Sequence, residues 1–352
     1  MASDRTRGGR TGSSAVIGEG AGTTAAAGAG SVPHGASQSA VTSGADAGDA
    51  GPDRRISGPK RLVAAVRTLR PKQWSKNLLV FAGLVFTYNL LNPDMLGRVI
   101  LAFVAFCALS SAGYLWNDLR DAPADRLHPI KRRRPIASGQ VPPALAVVMA
   151  LALGIAGLGL AAMLGSSFAL VASLYMLLTA SYSLWLKHLV LIDVFGISAG
   201  FVLRAVGGAV VIGVPVSPWL YVCTVLVSLF LGLGKRRNEL ELLESGAAGH
   251  RKNLEEYTLE LVDQLILIVA SVTIMAYSLY TFSAENLPRD HSMMLTIPLV
   301  VYGLFRYLYL VRVRRQGGAP EDLLLTDPGL LGTAVAWVAV SVFVLYVLPH
   351  TP

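Results

Sequence analysis

From about residue 75 to 348 the chain is a succession of apolar runs, each about long enough to cross ~30 Å of hydrocarbon, separated by short polar connections. Nine are read, at about 75–91, 98–116, 142–164, 166–185, 190–212, 218–233, 263–283, 293–311 and 329–348. Within each run the apolar residues are continuous rather than alternating, which predicts helices in lipid and not the alternating strands of a barrel. Ahead of them, Leu62, Val66 and Leu69 fall on one helical face of 60–70 and Arg61, Arg67 and Arg70 elsewhere. This is the pattern of an amphipathic helix at headgroup depth, ended by Pro71. Residues 1–58 have neither period: they are rich in Gly, Ala, Ser and Thr, cannot offset the entropy of ordering, and are expected to be a disordered low-complexity tail without the apolar core of a signal peptide. The expected fold is all-α, a polytopic membrane domain over 59–352 with about nine transmembrane helices around a central cavity.

Composition agrees, with 53% hydrophobic and 15% charged residues and a mean hydropathy of +0.54. The net charge of +8 would suggest nucleic acid in a soluble chain, but here Lys and Arg sit between apolar runs, where they set topology and attract anionic headgroups or substrates. Nucleic acid is therefore not an expected partner. Lys and Arg crowd the N-terminal segment, the 117–141 connection, Lys187, the 234–262 connection (Lys235, Arg236, Arg237, Arg251, Lys252) and 312–328, whereas the alternate connections hold little besides Arg289. The positive-inside rule makes the basic side cytoplasmic, so a multi-pass protein of the plasma membrane with its site on the cytoplasmic face is expected. Cys107 and Cys223 fall inside apolar runs and read as packing residues, with no disulfide framework or zinc spacing.

The chemistry lies on that basic side. Asn117, Asp118, Asp121 and Asp125 follow the second run directly. A terminal helical turn aligns the first three, while Pro123 disfavours helix at Ala122 and is expected to leave Asp125 projecting from a turn beyond the helix. Like charges gathered at a membrane boundary call for a cation, and hard Mg²⁺ takes oxygen ligands together with substrate phosphates. The run Lys131-Arg132-Arg133-Arg134 follows, with Pro135 and a Ser138-Gly139 turn fixing the backbone beside Arg133 and Arg134. Arginine forks suit bidentate phosphate contacts; Lys131 and Arg132 read equally well as a positive-inside anchor. Lys187 and Asp193 flank a very short connection and can face one cavity, or simply pair with each other. Arg204, midway through the fifth run, must face protein, water or a charged ligand. Lys235 and Glu239 have i, i+4 spacing, and Lys76 enters the first run at headgroup depth. Gly196, Gly200, Gly207 and Gly208 read as close helix-packing positions. No phosphate-loop or dinucleotide fingerprint is present.

With these residues in view, the chain resembles the UbiA-type superfamily of intramembrane prenyltransferases, whose Asn-Asp-x-x-Asp-x-x-x-Asp motif is matched by Asn117, Asp118, Asp121 and Asp125. Further segments, Arg70 to Asn77, 114–139, Tyr182 to Lys187, Gly234 to Leu240 and Pro320 to Asp322, resemble the branch that uses a sugar donor. The aromatic-acceptor branch usually carries a second Asp-x-x-x-Asp, and here only Asp193 follows Tyr182 and Lys187. The resemblance implies transfer of 5-phosphoribose from phosphoribosyl diphosphate to a polyprenyl phosphate, with release of pyrophosphate and formation of a precursor for cell-wall arabinan. It implies Mg²⁺, or Mn²⁺, on Asn117, Asp118, Asp121 and Asp125, the three aspartates forming the catalytic set. It further implies Arg133, Arg134, Lys187, Lys235 and Arg236 on phosphates, Asp193 on metal or ribose, Tyr182 on sugar or phosphate and Lys76 on the lipid phosphate, with Arg204 completing the substrate-binding set. A homo-oligomer is compatible with such a fold. Two rivals make different demands: an enzyme moving a polyprenyl group from its diphosphate to an aromatic acceptor would use the same acidic segment on the lipid, and a transporter of an anionic solute would need polar groups on both faces.

Overall fold

The computed structural model describes residues 58–128, 131–244, 256–316, 318 and 320–348. The expected tail, apart from Gly58, and the basic residues Arg251 and Lys252 lie outside the described residues. Among the described residues there is no strand. The helices are α1 (Gly58–Thr68), α2 (Ala82–Phe86), α3 (Pro93–Leu127), α4 (Pro143–Leu164), α5 (Ser166–Leu184), α6 (Ile192–Val211), α7 (Pro218–Glu244), α8 (Leu259–Ser283), α9 (Ile297–Arg312), α10 (Pro320–Thr326) and α11 (Pro328–Tyr346).

Eight of the described helices are long and apolar enough to cross a membrane, where nine runs were expected. The difference is the first run. Residues Pro71–Phe81 wind as a 3₁₀ helix and only Ala82–Phe86 continue as α-helix. The reason is contact with α6 at backbone range: a Cβ on Gly208 would overlap the Val80 carbonyl, and one on Gly83 would stand 3.1 Å from the Ala209 backbone. Glycine alone permits so close an approach, the use expected of Gly208, and Gly207 likewise admits the Phe106 ring.

Two of the apolar clusters hold the centre of the helix packing. One joins the 71–86 segment to α3, α5 and α6 through Val80, Leu84, Phe106, Leu109, Phe168 and Tyr175. The other joins α6 to α9 through Val194, Phe230, Val262, Ile266 and Tyr307. At the end away from the basic connections, Arg98 donates to the carbonyls of Val211 and Leu164 (both 2.7 Å), satisfying the last turns of α6 and α4. The amphipathic segment is helical as expected but stops at Thr68. Leu62, Val63 and Val66 face outward, while Leu69 turns inward onto the cluster around Leu115.

Candidate active site

Helix α3 does not end at Pro123. It runs on to Leu127, so Asp125 belongs to the helix and not to a turn beyond it. Pro123 forfeits one backbone hydrogen bond, but the residues around it are held by burial of Ala122 and by the ion pair of Asp125 with Arg134. Asp118 and Asp125, seven residues apart, therefore point to the same side and are both buried.

Two arginines meet them there. Arg134 Nη1 lies 3.0 Å from Asp118 Oδ1 and 2.7 Å from Asp125 Oδ2, one nitrogen shared between two carboxylates. Arg70 Nη2 reaches Asp118 Oδ1 at 2.6 Å, with its guanidinium 5.1 Å from the Tyr114 ring centre. The loop carrying Arg134 is built: Pro135, Ile136 and Ala137 are buried, Val141 N–H donates to Pro135 O (3.0 Å), Ser138 N–H to Arg134 O (2.9 Å), and Gly139 takes the positive φ of 77° that the turn requires. Arg70 immediately precedes the 3₁₀ segment and sits in the left-handed region (φ 55°), where a non-glycine residue is uncommon. Trp74 Nε1 donates to Ser111 Oγ (3.1 Å), which donates in turn to Leu69 O (3.0 Å), tying that strained junction to α3.

Asp121 faces differently. It accepts from Asn117 Nδ2 (3.0 Å) and pairs with Lys187 Nζ (3.2 Å), which the short 3₁₀ turn after α5 brings across. Asn117, Asp118, Asp121, Asp125, Arg134 and Lys187 are thus brought together. Among the described residues no three His, Cys, Asp or Glu side chains converge as a ready metal cage; each aspartate here is neutralised by a cation.

A cleft of about 400 Å³ opens beside Asp118, lined by Arg67, Arg70, Lys131, Arg133 and Arg134. Neither Arg67 nor Arg70 had been assigned a site role from sequence, because both read as the polar face of the interfacial helix. Their position immediately before Pro71, on the side of the acidic motif, was the available signal. His128, at the end of α3, has its imidazole pushed down by burial and then by Lys131.

Asp193, Arg236, Tyr182, Lys76 and Lys235 do not line that cleft. Asp193 and Arg236 are buried and face each other, with Arg236 Nε 2.6 Å from Asp193 Oδ2; the charges pair although the N–H points off the lone pair. Arg236 also pairs with Glu239. Asp193 Oδ1 accepts from Tyr257 Oη (2.8 Å) and from Val194 N–H (2.8 Å). Tyr257, which sequence reading missed, has its hydroxyl pushed up by burial and then by Asp193. Tyr182 is half-buried, packed within reach of Gly196, and Lys76 and Lys235 are half-buried. Arg204 is not brought to the cleft. It donates from Nε to Asn77 Oδ1 (2.6 Å), from Nη1 to Gly200 O (2.7 Å) and from Nη2 to Tyr175 Oη (2.7 Å), with its guanidinium 4.7 Å from the Tyr175 ring centre.

Comparison with known proteins matches this architecture. A decaprenyl-phosphate phosphoribosyltransferase of Corynebacterium glutamicum is 36% identical over 303 residues, 84% of this chain and 91% of the relative. One of Mycobacterium tuberculosis is 37% identical over 290 residues, 80% of this chain and 94% of the relative. In fold, the structure of a UbiA homolog from Archaeoglobus fulgidus bound to GPP and Mg²⁺ superposes with a TM-score of 0.62 at 19% identity, covering 81% of this chain and all of that one (100%). The UbiA prenyltransferase family model matches residues 78–324, from the 3₁₀ segment to α10, and this multi-pass membrane protein is a member of that family.

Proposed function

We infer that the chain is a membrane-embedded pentosyltransferase that moves 5-phosphoribose from phosphoribosyl diphosphate to the phosphate of a polyprenyl phosphate, decaprenyl phosphate in the names of its relatives, and releases pyrophosphate. The observation that carries this reading is the cleft in which five cations face the one carboxylate of Asp118. A prenyl diphosphate with an aromatic acceptor brings one strongly anionic group. A phosphorylated sugar diphosphate with a lipid phosphate brings three, which is what such a surplus of guanidinium and ammonium groups suits.

The phosphate oxygen of the acceptor is a nucleophile at neutral pH, so the protein has little proton transfer to arrange. Its residues hold the departing diphosphate and keep the anomeric carbon in line with the attacking oxygen, lowering the barrier by positioning and charge. Arg70 and Arg134 exchange carboxylate for phosphate oxygens, and Lys187 approaches from the α5–α6 side beside Asp121. The donor chemistry suits a divalent metal: Asn117, Asp118, Asp121 and Asp125 offer hard oxygens, and Asp118 and Asp125 already converge on a single cationic nitrogen of Arg134, while Asp121 is turned to Lys187. These four would hold Mg²⁺ or Mn²⁺, which supplies neutralisation of the leaving diphosphate. The site faces the cytoplasm in the plasma membrane, and the product is a lipid-linked pentose for cell-wall arabinan. Purified protein given phosphoribosyl diphosphate labelled in the ribose, decaprenyl phosphate and Mg²⁺ yields lipid-extractable label. Label that stays in the aqueous phase, with transfer seen instead from a prenyl diphosphate to an aromatic acid, defeats the reading.

A further inference from the structure

Resting on the phosphoribosyl-transfer reading above, we propose that Arg67 and Arg133 form a subsite for a phosphate monoester at the outer end of the cleft, separate from the diphosphate end at Asp118 and Arg134. The cations of the cleft divide by the company they keep. Arg70 and Arg134 have their charge answered by Asp118 and Asp125. Arg67, in the last turn of α1, and Arg133, in the 3₁₀ turn Lys131–Arg133, are exposed and meet no carboxylate among the described residues, yet both line the same 400 Å³ space. Two like charges from different elements facing one cleft repel unless an anion lies between them.

The chemistry of that anion follows from the reaction. A diphosphate on a metal needs the oxygen donors of α3, of which Asp118 lines the cleft as a buried side chain while Arg67 and Arg133 are exposed. A monoester dianion needs no metal, and its oxygens match planar guanidinium forks approaching from two sides. Two sources carry this group, the 5-phosphate of the donor and the headgroup of the acceptor lipid. The outward apolar face of α1, Leu62, Val63 and Val66, continues next to Arg67, so a lipid headgroup reaches the subsite as readily as a sugar does.

The test measures binding without turnover on the full chain in nanodiscs. Ribose 5-phosphate, decaprenyl phosphate and pyrophosphate with Mg²⁺ are titrated separately into wild type, Arg67→Gln, Arg133→Gln and the double variant. Each single substitution weakens a monoester by about 10-fold and the pair by about 100-fold, as expected for charge-assisted hydrogen bonds. Pyrophosphate affinity stays within about 2-fold of wild type, since its partners are untouched. A loss confined to ribose 5-phosphate assigns the donor, and a loss confined to decaprenyl phosphate assigns the acceptor. Wild-type affinity for both monoesters in the double variant, or an equal fall for pyrophosphate, overturns the subsite. Failure of wild type to label lipid would remove the transfer reading, and is scored in a different experiment.

Discussion

Removing Arg236 separates a structural strut from a substrate contact. Asp193 is fully buried (0% exposed) and Arg236 nearly so (1%), with Nε and Oδ2 2.6 Å apart. At an effective dielectric of about 20 that separation corresponds to an attraction of ~6 kcal/mol. The desolvation of two ions takes back several kcal/mol, so the pair as a whole adds little, but deleting one partner leaves the other charge stranded at a cost of ~3–5 kcal/mol. The geometry predicts an asymmetry. Arg236→Met takes from Asp193 its guanidinium partner while Tyr257 and Val194 N–H, neither charged, stay in place, and is expected to cost that ~3–5 kcal/mol. Asp193→Asn leaves Arg236 paired with Glu239 and costs ~1–3 kcal/mol. The double variant Asp193→Asn/Arg236→Met is then more stable than Arg236→Met alone by about 2 kcal/mol, because no stranded ion remains. Cys107, a buried free thiol, provides the assay: the rate at which a thiol-reactive dye labels it on heating in detergent reports unfolding. A double variant no more stable than Arg236→Met refutes the coupling, and a stable Arg236→Met whose only defect is a raised KM for the donor returns Arg236 to the substrate.

Asp118→Asn and Asp125→Asn remove the oxygens that Arg134 holds together and are expected to lower kcat by at least about 10³-fold, with thermal unfolding within a few degrees of wild type; near-normal turnover in either disproves their role. Chelation of divalent metal with EDTA abolishes wild-type turnover and added Mg²⁺ restores it, measured as label in the lipid fraction. Arg204→Met breaks its bonds to Asn77, Gly200 and Tyr175 and lowers the unfolding midpoint, while KM for either substrate in the surviving fraction changes less than about 2-fold; a larger KM change than that places Arg204 at a ligand. Hydrogen bonds from Arg306 hold the Asp327 carboxyl below the usual carboxylate range, so the stability it gives the start of α11 is full above its unfolded value of about 4 and is lost as pH falls through the depressed one. Asp327→Asn removes that portion of the acid transition, read as amide exchange at α11 against pH.

The helices were legible because lipid demands continuous apolar runs, and the acidic segment because carboxylates at a membrane boundary are costly without a purpose. What the residues did not reveal follows from contacts that only the fold creates. The run 75–91 is apolar enough to span, yet Gly208 and Gly83 let it lie on α6 so closely that it winds as 3₁₀ over Pro71–Phe81. Pro123 reads as a helix end from local rules, and burial of Ala122 with the Asp125–Arg134 pair overrides them. Arg204 read as a cation that must face protein, water or a charged ligand, and the answer, protein, depends on Asn77 and Tyr175, which are distant in sequence and join the Gly200 carbonyl of its own helix only once α5, α6 and the 71–81 segment are packed. The same holds for Arg67 and Arg70, whose side chains acquire meaning from the 131–135 loop opposite.

On the proposed reading, the charge arrangement lets one site rest stably at a membrane boundary and still receive a highly anionic donor. Three carboxylates, Asp118, Asp121 and Asp125, pair with three cations, Arg70, Arg134 and Lys187, so the charges along the end of α3 balance and their desolvation cost stays low. The same cleft carries Arg67, Lys131 and Arg133, whose field on that reading draws phosphates in. An entering diphosphate with its metal brings both signs of charge at once, so the carboxylates and the arginines can each change partner without either being left alone. A metal ion by itself offers the arginines nothing in return, and an unmetallated diphosphate offers nothing to the aspartates. The site is therefore expected to take the two together.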